Sequence, residues 1–190
     1  MSMFVKVVKN FLTLEDVYEL NSWALDSYRG PFFVPTDMDP GYGKYKPTRL
    51  TTRGFGLTNA PLEYPKKAYS IQDNIKQYLN IDNPLFPPPY KDGIVCGVGI
   101  MNGSVYPHKD PIFYENTQTL HCIFKTQKCD SGGNTFICGK EYDDLHEVDM
   151  LLCLVSKYEH GATRICGNKP RVLWYFGFCL DEEHIKKIFY

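Results

Sequence analysis

The sequence predicts a mainly β (α+β) fold, in which two supporting helices precede short strands arranged as a sandwich or jelly roll. Three observations predict it. Aromatic residues make up 15% of the chain and come with 15 glycines and 13 prolines, a composition that favours strands and turns. Helical spacing of apolar residues dominates only before residue 80. From residue 92 onward, short strand signals follow one another with no helical pattern between them.

Length and charge limit the kind of protein. The 190 residues suit one domain, residues 1–190, with a helical part over about 1–90 and a β core over about 92–180. The 21 basic and 22 acidic residues give a net charge of −1, which excludes binding by bulk charge. The seven cysteines include no CxxC pair, so neither a disulfide framework nor a tetrathiolate zinc site is expected. The absence of a signal peptide or membrane span predicts a cytoplasmic protein without a membrane partner.

Two helices are expected in the N-terminal part. Thr13 and Asp16 have the spacing of a capping box, which should open a helix that runs to about residue 26. A second helix should run from about Leu62 to Leu79, where apolar residues recur at helical spacing. The segment between them, residues 30–60, is rich in Gly, Pro and Tyr and predicts a long loop of functional importance.

Strand signals fill the second half of the chain. The strands at 93–101 and 104–106 should form a hairpin, because the Asn-Gly pair between them is typical of a two-residue turn. Further strands are expected at 119–126, 134–137, 149–155, 162–166 and 171–178. Residues 181–190 are expected to form a short terminal helix.

The candidate chemistry begins at His108 and Asp110. Residues i and i+2 of a strand point to the same face, so this pair can offer an imidazole and a carboxylate to one point. With His160 as a third ligand from a distant strand, the set becomes two histidines and one carboxylate, which is typical of non-haem Fe(II) oxygenases. The pair alone is weak evidence, since about 0.6 such pairs are expected by chance, and a histidine beside a capping aspartate in a surface turn is the alternative.

Further motifs follow Asp110 in a fixed order. They are the strand 119–125, the Ser-Gly-Gly-Asn-Thr-Phe motif at 131–136, the apolar stretch 148–156, His160, and the Lys-Pro-Arg motif at 169–171. This order resembles that of the Fe(II)/2-oxoglutarate-dependent dioxygenases, especially their prolyl-hydroxylase-like branch. The resemblance covers roughly residues 92–178 and implies a double-stranded β-helix (jelly-roll) core.

The resemblance also implies the cofactors and the catalytic residues. His108, Asp110 and His160 correspond to the residues that bind Fe(II) and form the catalytic centre, with 2-oxoglutarate as cosubstrate, O₂ as oxidant and ascorbate as an optional reductant. The reaction implied is hydroxylation of a substrate C–H bond, with release of succinate and CO₂. The protein supplies ligand geometry, charge matching and shelter from water, while the iron and cosubstrate supply the chemistry.

The distal carboxylate of 2-oxoglutarate requires a cation inside the barrel. Arginine suits this role, because its planar guanidinium can form two parallel bonds to a carboxylate. Arg171 is preferred, since the Pro-Arg-Val sequence around it resembles the pattern of the nucleobase-oxidising branch. Lys169, two residues earlier and of the same strand parity, is the alternative. For either residue, a solvated charge at a strand end is the competing interpretation.

The sequence departs from the family at Gly99, where many members have a tyrosine that contacts the cosubstrate. We expect this contact from Tyr106, Thr119 or His121 instead. Thr119 and His121 share strand parity, so both should face the barrel interior if one does. A histidine in the core with its hydrogen bonds satisfied is the alternative for His121.

The resemblance favours a protein or peptide side chain, or an amino acid, as substrate. Oxidation of a pyrimidine base is an alternative, because the Pro-Arg motif and the compact size leave it open. Basic and aromatic residues cluster over 42–55, where Arg49, Arg53 and Tyr45 are the candidate substrate contacts; a folded structural loop is the other interpretation of this segment. Two other classes remain open. One is a cupin-like binding module without enzymatic activity, and the other is a metal-dependent hydrolase that uses the same three ligands.

Overall fold

A computed structural model of the chain describes residues 4–30, 33–35, 49–52, 64–88 and 92–190. In these ranges the helices are α1 (Leu14–Ser27), α2 (Lys66–Leu79) and α3 (Glu182–Phe189). The strands are β1 (Val5–Val8), β2 (Val34–Pro35), β3 (Arg49–Thr51), β4 (Ile94–Gly99), β5 (Val105–His108), β6 (Thr117–Gln127), β7 (Ser131–Gly132), β8 (Thr135–Ile137), β9 (Lys140–Tyr142), β10 (Met150–Leu154), β11 (His160–Ala162), β12 (Ile165–Cys166) and β13 (Arg171–Asp181).

Helix α1 begins where the sequence predicts it. The Thr13 hydroxyl accepts a hydrogen bond from the Asp16 backbone N–H at 3.1 Å, and the Asp16 carboxylate accepts one from the Thr13 N–H at 2.8 Å. These two bonds complete the predicted capping box, because they satisfy N–H groups that have no partner within the helix. The buried face of α1 carries Leu20 and Ala24, which pack into the main core.

Helices α2 and α3 also confirm the expected elements, although α2 begins later in the chain than expected. Helix α2 starts at Lys66, directly after Pro65, and not near Leu62, which lies outside the described residues. It ends at Asn80, which adopts a left-handed conformation with φ of 52°. The terminal helix α3 is capped by the carboxylate of Asp181, which accepts a hydrogen bond from the His184 N–H.

The strands form the jelly roll that the sequence predicts. Over the described residues, one sheet has seven strands in the order β1-β10-β6-β13-β4-β3-β2, and a second has four in the order β5-β11-β8-β9. Every pairing between these strands is antiparallel. A short additional pair, β7 with β12, lies beside them in the described part.

Side chains of β6 point alternately to the two faces of the larger sheet and so join two different hydrophobic clusters. Leu120 and Phe124 point to one face of the larger sheet and join the core that α1 and α2 cover. Ile123 points to the opposite face and packs with Leu151 and Leu173 in a second, smaller cluster. His121 shares the parity of Ile123, so its side chain points to the same inner face of the sheet.

The predicted hairpin between 93–101 and 104–106 is wrong. Strand β4 pairs with β13 and β3 in the larger sheet, whereas β5 pairs with β11 in the smaller one. The local turn forms, since Asn102 has φ of 73° and the Gly103 N–H donates to the Ile100 carbonyl. The strands then diverge, because each has a longer-range partner and Ile165 bonds to the backbone of both turn residues.

The predicted strand at 162–166 is also interrupted, since the structure divides it between β11 and β12. No helix among the described residues combines the length and apolar character that crossing a bilayer would require.

Candidate metal centre and adjoining pocket

A pocket with an empty volume of about 660 Å³, including its open mouth, is lined by residues of both sheets. The larger sheet contributes Val95, His121, Ile123, Arg171 and Tyr175, and the smaller sheet contributes Val105, His108, Thr135, His160, Gly161 and Ala162. Thr51, at the end of β3 in the larger sheet, completes the lining among the described residues together with Gly93 and Asp110.

The structure brings His108, Asp110 and His160 together. His108 ends β5 and His160 begins β11, and the two residues are directly opposite each other in the antiparallel pair. Asp110 follows β5, and its backbone N–H donates to the Val155 carbonyl at 2.9 Å. One potential ligand atom from each of the three lies within 4.8 Å of the others. Two imidazoles and a carboxylate thus converge on one point, as the sequence predicts.

The backbone fixes the orientation of both imidazoles. The Nδ1 atom of His108 lies 2.8 Å from the Tyr106 carbonyl oxygen, and that of His160 lies 3.2 Å from the Tyr158 carbonyl oxygen. A carbonyl oxygen can only accept, so in each ring Nδ1 carries the hydrogen. Each Nε2 atom then keeps a lone pair for a metal, the usual arrangement for histidine ligands.

Burial favours the neutral form of His160. Removal of the ring from water lowers its pKa to about 4, and the nearby positive forms of His108 and His121 act in the same direction, while the Asp110 carboxylate opposes them. His160 therefore offers a neutral imidazole at neutral pH.

Asp110 lies between two histidines. Its Oδ1 atom is 3.5 Å from His108 Nε2, and its Oδ2 atom is 3.6 Å from His121 Nε2. The side chain is 7% exposed. The two oxygens of this buried carboxylate therefore face different partners.

Arg171 brings a buried cation to the same pocket. It begins β13, where it is paired with Gly99 of β4, and it is 4% exposed. Its guanidinium donates a hydrogen bond to the Thr135 hydroxyl on β8 at 2.9 Å. A Cβ atom at Gly99 would lie 2.5 Å from the end of the Ile165 side chain, which packs beside this pair.

Comparisons with known proteins agree with this arrangement. No protein-family model and no curated protein sequence matches the chain. Solved structures do match. A Trichoplax adhaerens prolyl hydroxylase in complex with a peptide fragment of hypoxia inducible factor has a TM-score of 0.63 at 12% identity, over 97% of this chain and 87% of that one.

A viral collagen prolyl hydroxylase from Paramecium Bursaria Chlorella virus-1, solved with 2-oxoglutarate, has a TM-score of 0.62 at 10% identity, over 94% of this chain and 96% of that one. HygX from Streptomyces hygroscopicus, with nickel and 2-oxoglutarate bound, has a TM-score of 0.63 at 10% identity, over 93% and 82%. This chain has the fold of the Fe(II)/2-oxoglutarate-dependent oxygenases. The fold resemblance predicted from the order of sequence motifs is thereby confirmed.

Within this oxygenase fold, Arg171 and Lys169 are clearly separated. Lys169 is exposed, precedes β13, and is not among the described residues that line the pocket. Its backbone N–H donates to the Asp130 carboxylate at 3.1 Å, which fixes it in a surface loop. The strand parity used to propose it does not apply, because the strand begins only at Arg171.

The predicted cosubstrate contact by Tyr106 is not supported, because the residue is 58% exposed and is not among the described residues that line the pocket. The sequence expectation fails at an irregularity in the smaller sheet: His160 pairs with His108, but Ala162 pairs with Val105, so β5 has one more residue than β11 over this stretch. This bulge changes the alternation. Val105 and His108 line the pocket, while Tyr106 contributes only its carbonyl oxygen to His108.

Of the pair Thr119 and His121, only His121 lines the pocket. Thr119 is buried further along β6, where its hydroxyl lies 3.9 Å from Cys179 Sγ and its backbone N–H donates to the Ser156 hydroxyl. A cosubstrate contact by Thr119 is therefore not supported. Thr119 and His121 lie on the same face of the sheet, as strand parity predicts, but of the two only His121 is placed along β6 where it reaches the pocket.

The candidate substrate contacts cannot be compared with the pocket in the same way. Arg53 and Tyr45 lie outside the described residues. Arg49 begins β3, and its backbone pairs with Gly99 of β4, beside Arg171 in the sheet order.

Thr135 and Tyr175 are among the pocket residues for which the sequence pattern predicts no role. Thr135 belongs to the Gly-Gly-Asn-Thr-Phe motif, but no role was assigned to its hydroxyl, which accepts from Arg171. Tyr175 shares strand parity with Arg171, and its ring centroid lies 5.8 Å from that of His121. Extending the alternation from Arg171 along β13 would have found it.

Proposed function

We propose that this protein is an Fe(II)- and 2-oxoglutarate-dependent dioxygenase that hydroxylates a C–H bond and releases succinate and CO₂. A single observation carries the proposal: one pocket contains both a group of two histidines and a carboxylate and a buried arginine. The histidines and carboxylate suit a divalent metal, and the arginine suits the carboxylate of a small acid. Neither feature alone requires an oxygenase, whereas the combination matches the needs of its two cofactors.

His108, Asp110 and His160 would hold the Fe(II). Two imidazoles and one carboxylate on one side of a metal leave open positions, and this donor set is typical of non-haem iron oxygenases. The hydrogen bonds from both Nδ1 atoms to backbone carbonyls hold the rings ready for the metal. When bound, the iron and 2-oxoglutarate together would supply the activation of O₂.

Arg171 would bind the distal carboxylate of 2-oxoglutarate. The hydrogen bond to Thr135 holds its guanidinium in place, and burial of both residues strengthens a charge-assisted contact because water is scarce. Apolar side chains such as Val105, Ile123 and Ala162 form part of the pocket lining, which offers water few polar partners there. The chain itself thus binds, orients and shelters the reactants.

For the substrate, we propose a protein or peptide side chain or an amino acid. The similarity of fold to prolyl hydroxylases, one of them solved with a peptide, supports this class. Oxidation of a nucleobase remains the alternative, and its candidate contacts, Arg53 and Tyr45, lie outside the described residues.

The decisive experiment is turnover of 2-oxoglutarate by purified protein with Fe(II) in air, with pools of peptides, amino acids and oligonucleotides as substrates. We expect succinate to form, and one pool to gain oxygen. His108→Ala should abolish succinate formation. Lys169→Ala should retain it, because Lys169 lies only two residues before Arg171 in the sequence but is exposed at the surface. Turnover that continues without O₂ would instead indicate a hydrolase. Failure of the wild-type protein to bind iron or form succinate would favour a non-enzymatic module.

A further inference from the structure

His121 is a third histidine beside the proposed metal ligands, and it comes from the larger sheet, whereas His108 and His160 come from the smaller one. Its Nε2 atom lies 3.6 Å from Oδ2 of Asp110, the oxygen that is not directed at His108. The side chain is 14% exposed. The His121 imidazole therefore faces the oxygen of Asp110 that is turned away from His108.

His121 lies outside the group that converges on one point. The potential ligand atoms of His108, Asp110 and His160 lie within 4.8 Å of one another, and His121 does not belong to that group. The ring centroids of His108 and His160 are 4.3 Å apart, whereas those of His121 and His160 are 6.5 Å apart. His121 is therefore placed to contact the carboxylate and not to share the metal with the other three.

The larger sheet holds the His121 ring in place. His121 is paired with Gly177 across β6 and β13, and a Cβ atom at Gly177 would lie 3.3 Å from His121 Cδ2 and 3.4 Å from Nε2. The ring thus lies over the glycine backbone, in space that a larger residue would compete for. Tyr175 borders it as well, with a ring centroid 5.8 Å away. A ring confined in this way can present Nε2 to Asp110 at little entropic cost.

We propose that His121 is a positioning residue, which donates a hydrogen bond from Nε2 to Oδ2 of Asp110 and so leaves Oδ1 for the metal. This inference depends on the proposed function, because it assigns a role to His121 at the same metal centre. The present separation exceeds hydrogen-bond range by about 0.4 Å, a gap that a small rotation of either side chain closes. Carboxylate ligands are commonly held by such outer contacts, and their loss weakens metal binding by about 10- to 100-fold.

The test measures metal binding directly. Co(II) is titrated into the metal-free protein, and its visible absorption bands report both affinity and the geometry of the ligands. We expect His121→Leu, which has no donor, to weaken Co(II) binding about 10- to 100-fold and to shift the absorption bands. His121→Gln can place an amide N–H near the position of Nε2, and we expect it to restore most of the affinity. The KM for 2-oxoglutarate at saturating metal should change little.

Thr119→Val is the matched control, since Thr119 lies on the same face of β6 but outside the pocket. It should bind Co(II) like the wild-type protein. If His121→Leu does not fold, as judged by circular dichroism, His121→Asn provides the comparison, because its amide is too short to reach Asp110.

Two results would overturn the positioning role. Wild-type Co(II) affinity and spectrum in His121→Leu, with a raised KM for 2-oxoglutarate, would make His121 a cosubstrate contact instead. Equal loss of affinity in His121→Leu, His121→Gln and Thr119→Val would indicate a general disturbance of β6. A different result would contradict the proposed function itself, namely Co(II) binding by His108→Ala that is as tight as binding by the wild-type protein.

Discussion

Arg171 and Thr135 join the two sheets of the barrel inside the pocket. The arginine begins β13 of the larger sheet, the threonine begins β8 of the smaller one, and the guanidinium donates to the hydroxyl at 2.9 Å. Both residues are at most 5% exposed. A buried guanidinium held by a neighbouring side chain has lost its conformational freedom before any ligand arrives, which favours binding of a carboxylate.

The first prediction concerns this pair. Arg171→Gln should raise the KM for 2-oxoglutarate by roughly 10- to 100-fold, because a hydrogen bond to a charged group contributes about 1.5–3 kcal/mol. Thr135→Val should raise it only a few-fold, since it removes the support and not the charge. Succinate formation at a range of 2-oxoglutarate concentrations measures both effects. Lys169→Gln serves as the control, and a larger effect there than in Arg171→Gln would show that the wrong cation has been assigned.

The second prediction concerns Lys125, a buried lysine on β6 that is 3% exposed. Its amine lies 3.5 Å from the Asn134 side-chain oxygen, the outer limit of a hydrogen bond. Burial, reinforced by the positive charge of Arg171, lowers the pKa of Lys125 to about 8. At pH 7 the folded protein therefore carries a charge that is costly to bury.

Lys125→Met should consequently raise the free energy of unfolding at pH 7. Between pH 8 and about 10.4, the ordinary pKa of lysine, the unfolded wild-type chain holds this proton and the folded one does not, so wild-type stability rises with pH. The advantage of Lys125→Met should therefore shrink across this range. Urea unfolding of both proteins from pH 7 to 10 measures it, and a variant less stable than the wild type at pH 7 would reveal a favourable interaction of the ammonium group.

The third prediction concerns the pH dependence of the metal-free protein. Burial lowers the pKa of His160 to about 4, whereas a histidine in the unfolded chain titrates near about 6.5. As pH falls between these values, the unfolded chain takes up a proton that the folded chain does not, so stability decreases. His160→Gln should remove this part of the slope. Urea unfolding of both proteins from pH 7 to 4 measures this slope. If the free energies of unfolding of the two proteins change by the same amount over this range, the assignment is contradicted.

The convergence of His108 and Asp110 could be predicted from the sequence, because the signal of this pair is local. Histidine and aspartate two residues apart at a strand end need only β geometry to converge, and the order of motifs supplied His160 as the third residue. The choice of Arg171 over Lys169 was also possible, although its physical reason, the start of β13 at Arg171, is visible only in the structure.

Other features depend on contacts between distant strands. The exposed position of Tyr106 results from the bulge between β5 and β11, which no alternation within β5 reveals. The expected hairpin failed for a similar reason: Asn102 and Gly103 turn the chain, but the two strands find partners in different sheets. The Arg171–Thr135 bond likewise joins residues 36 positions apart. Local sequence patterns therefore predicted where helices and strands form better than they predicted which strands pair.

The last prediction concerns Asp149, which anchors the N-terminal segment to the strand β10. Its carboxylate accepts hydrogen bonds from the backbone N–H groups of Asn10 and His146 and from the Lys9 amine, all at 3.0 Å. The Asp149 side chain is fully buried, while that of Lys9 is 53% exposed. Burial alone would raise the pKa of Asp149, but the two N–H groups and Lys9 outweigh it and lower the pKa below its ordinary value.

Asp149→Asn should lower the free energy of unfolding at pH 7 by about 1–3 kcal/mol, because an amide cannot accept all three bonds and leaves a buried donor without a partner. Lys9→Met should cost less than about 1 kcal/mol, since its amine is largely solvated. The cost of Asp149→Asn should diminish as pH falls below about 3.9, because the unfolded wild-type chain then takes up a proton that the folded carboxylate, with its lowered pKa, takes up only at lower pH. Denaturant unfolding at pH 7 and pH 3 measures both variants. An equal loss in Lys9→Met and Asp149→Asn at pH 7 would mean that the ion pair, and not the backbone contacts, provides the stabilisation.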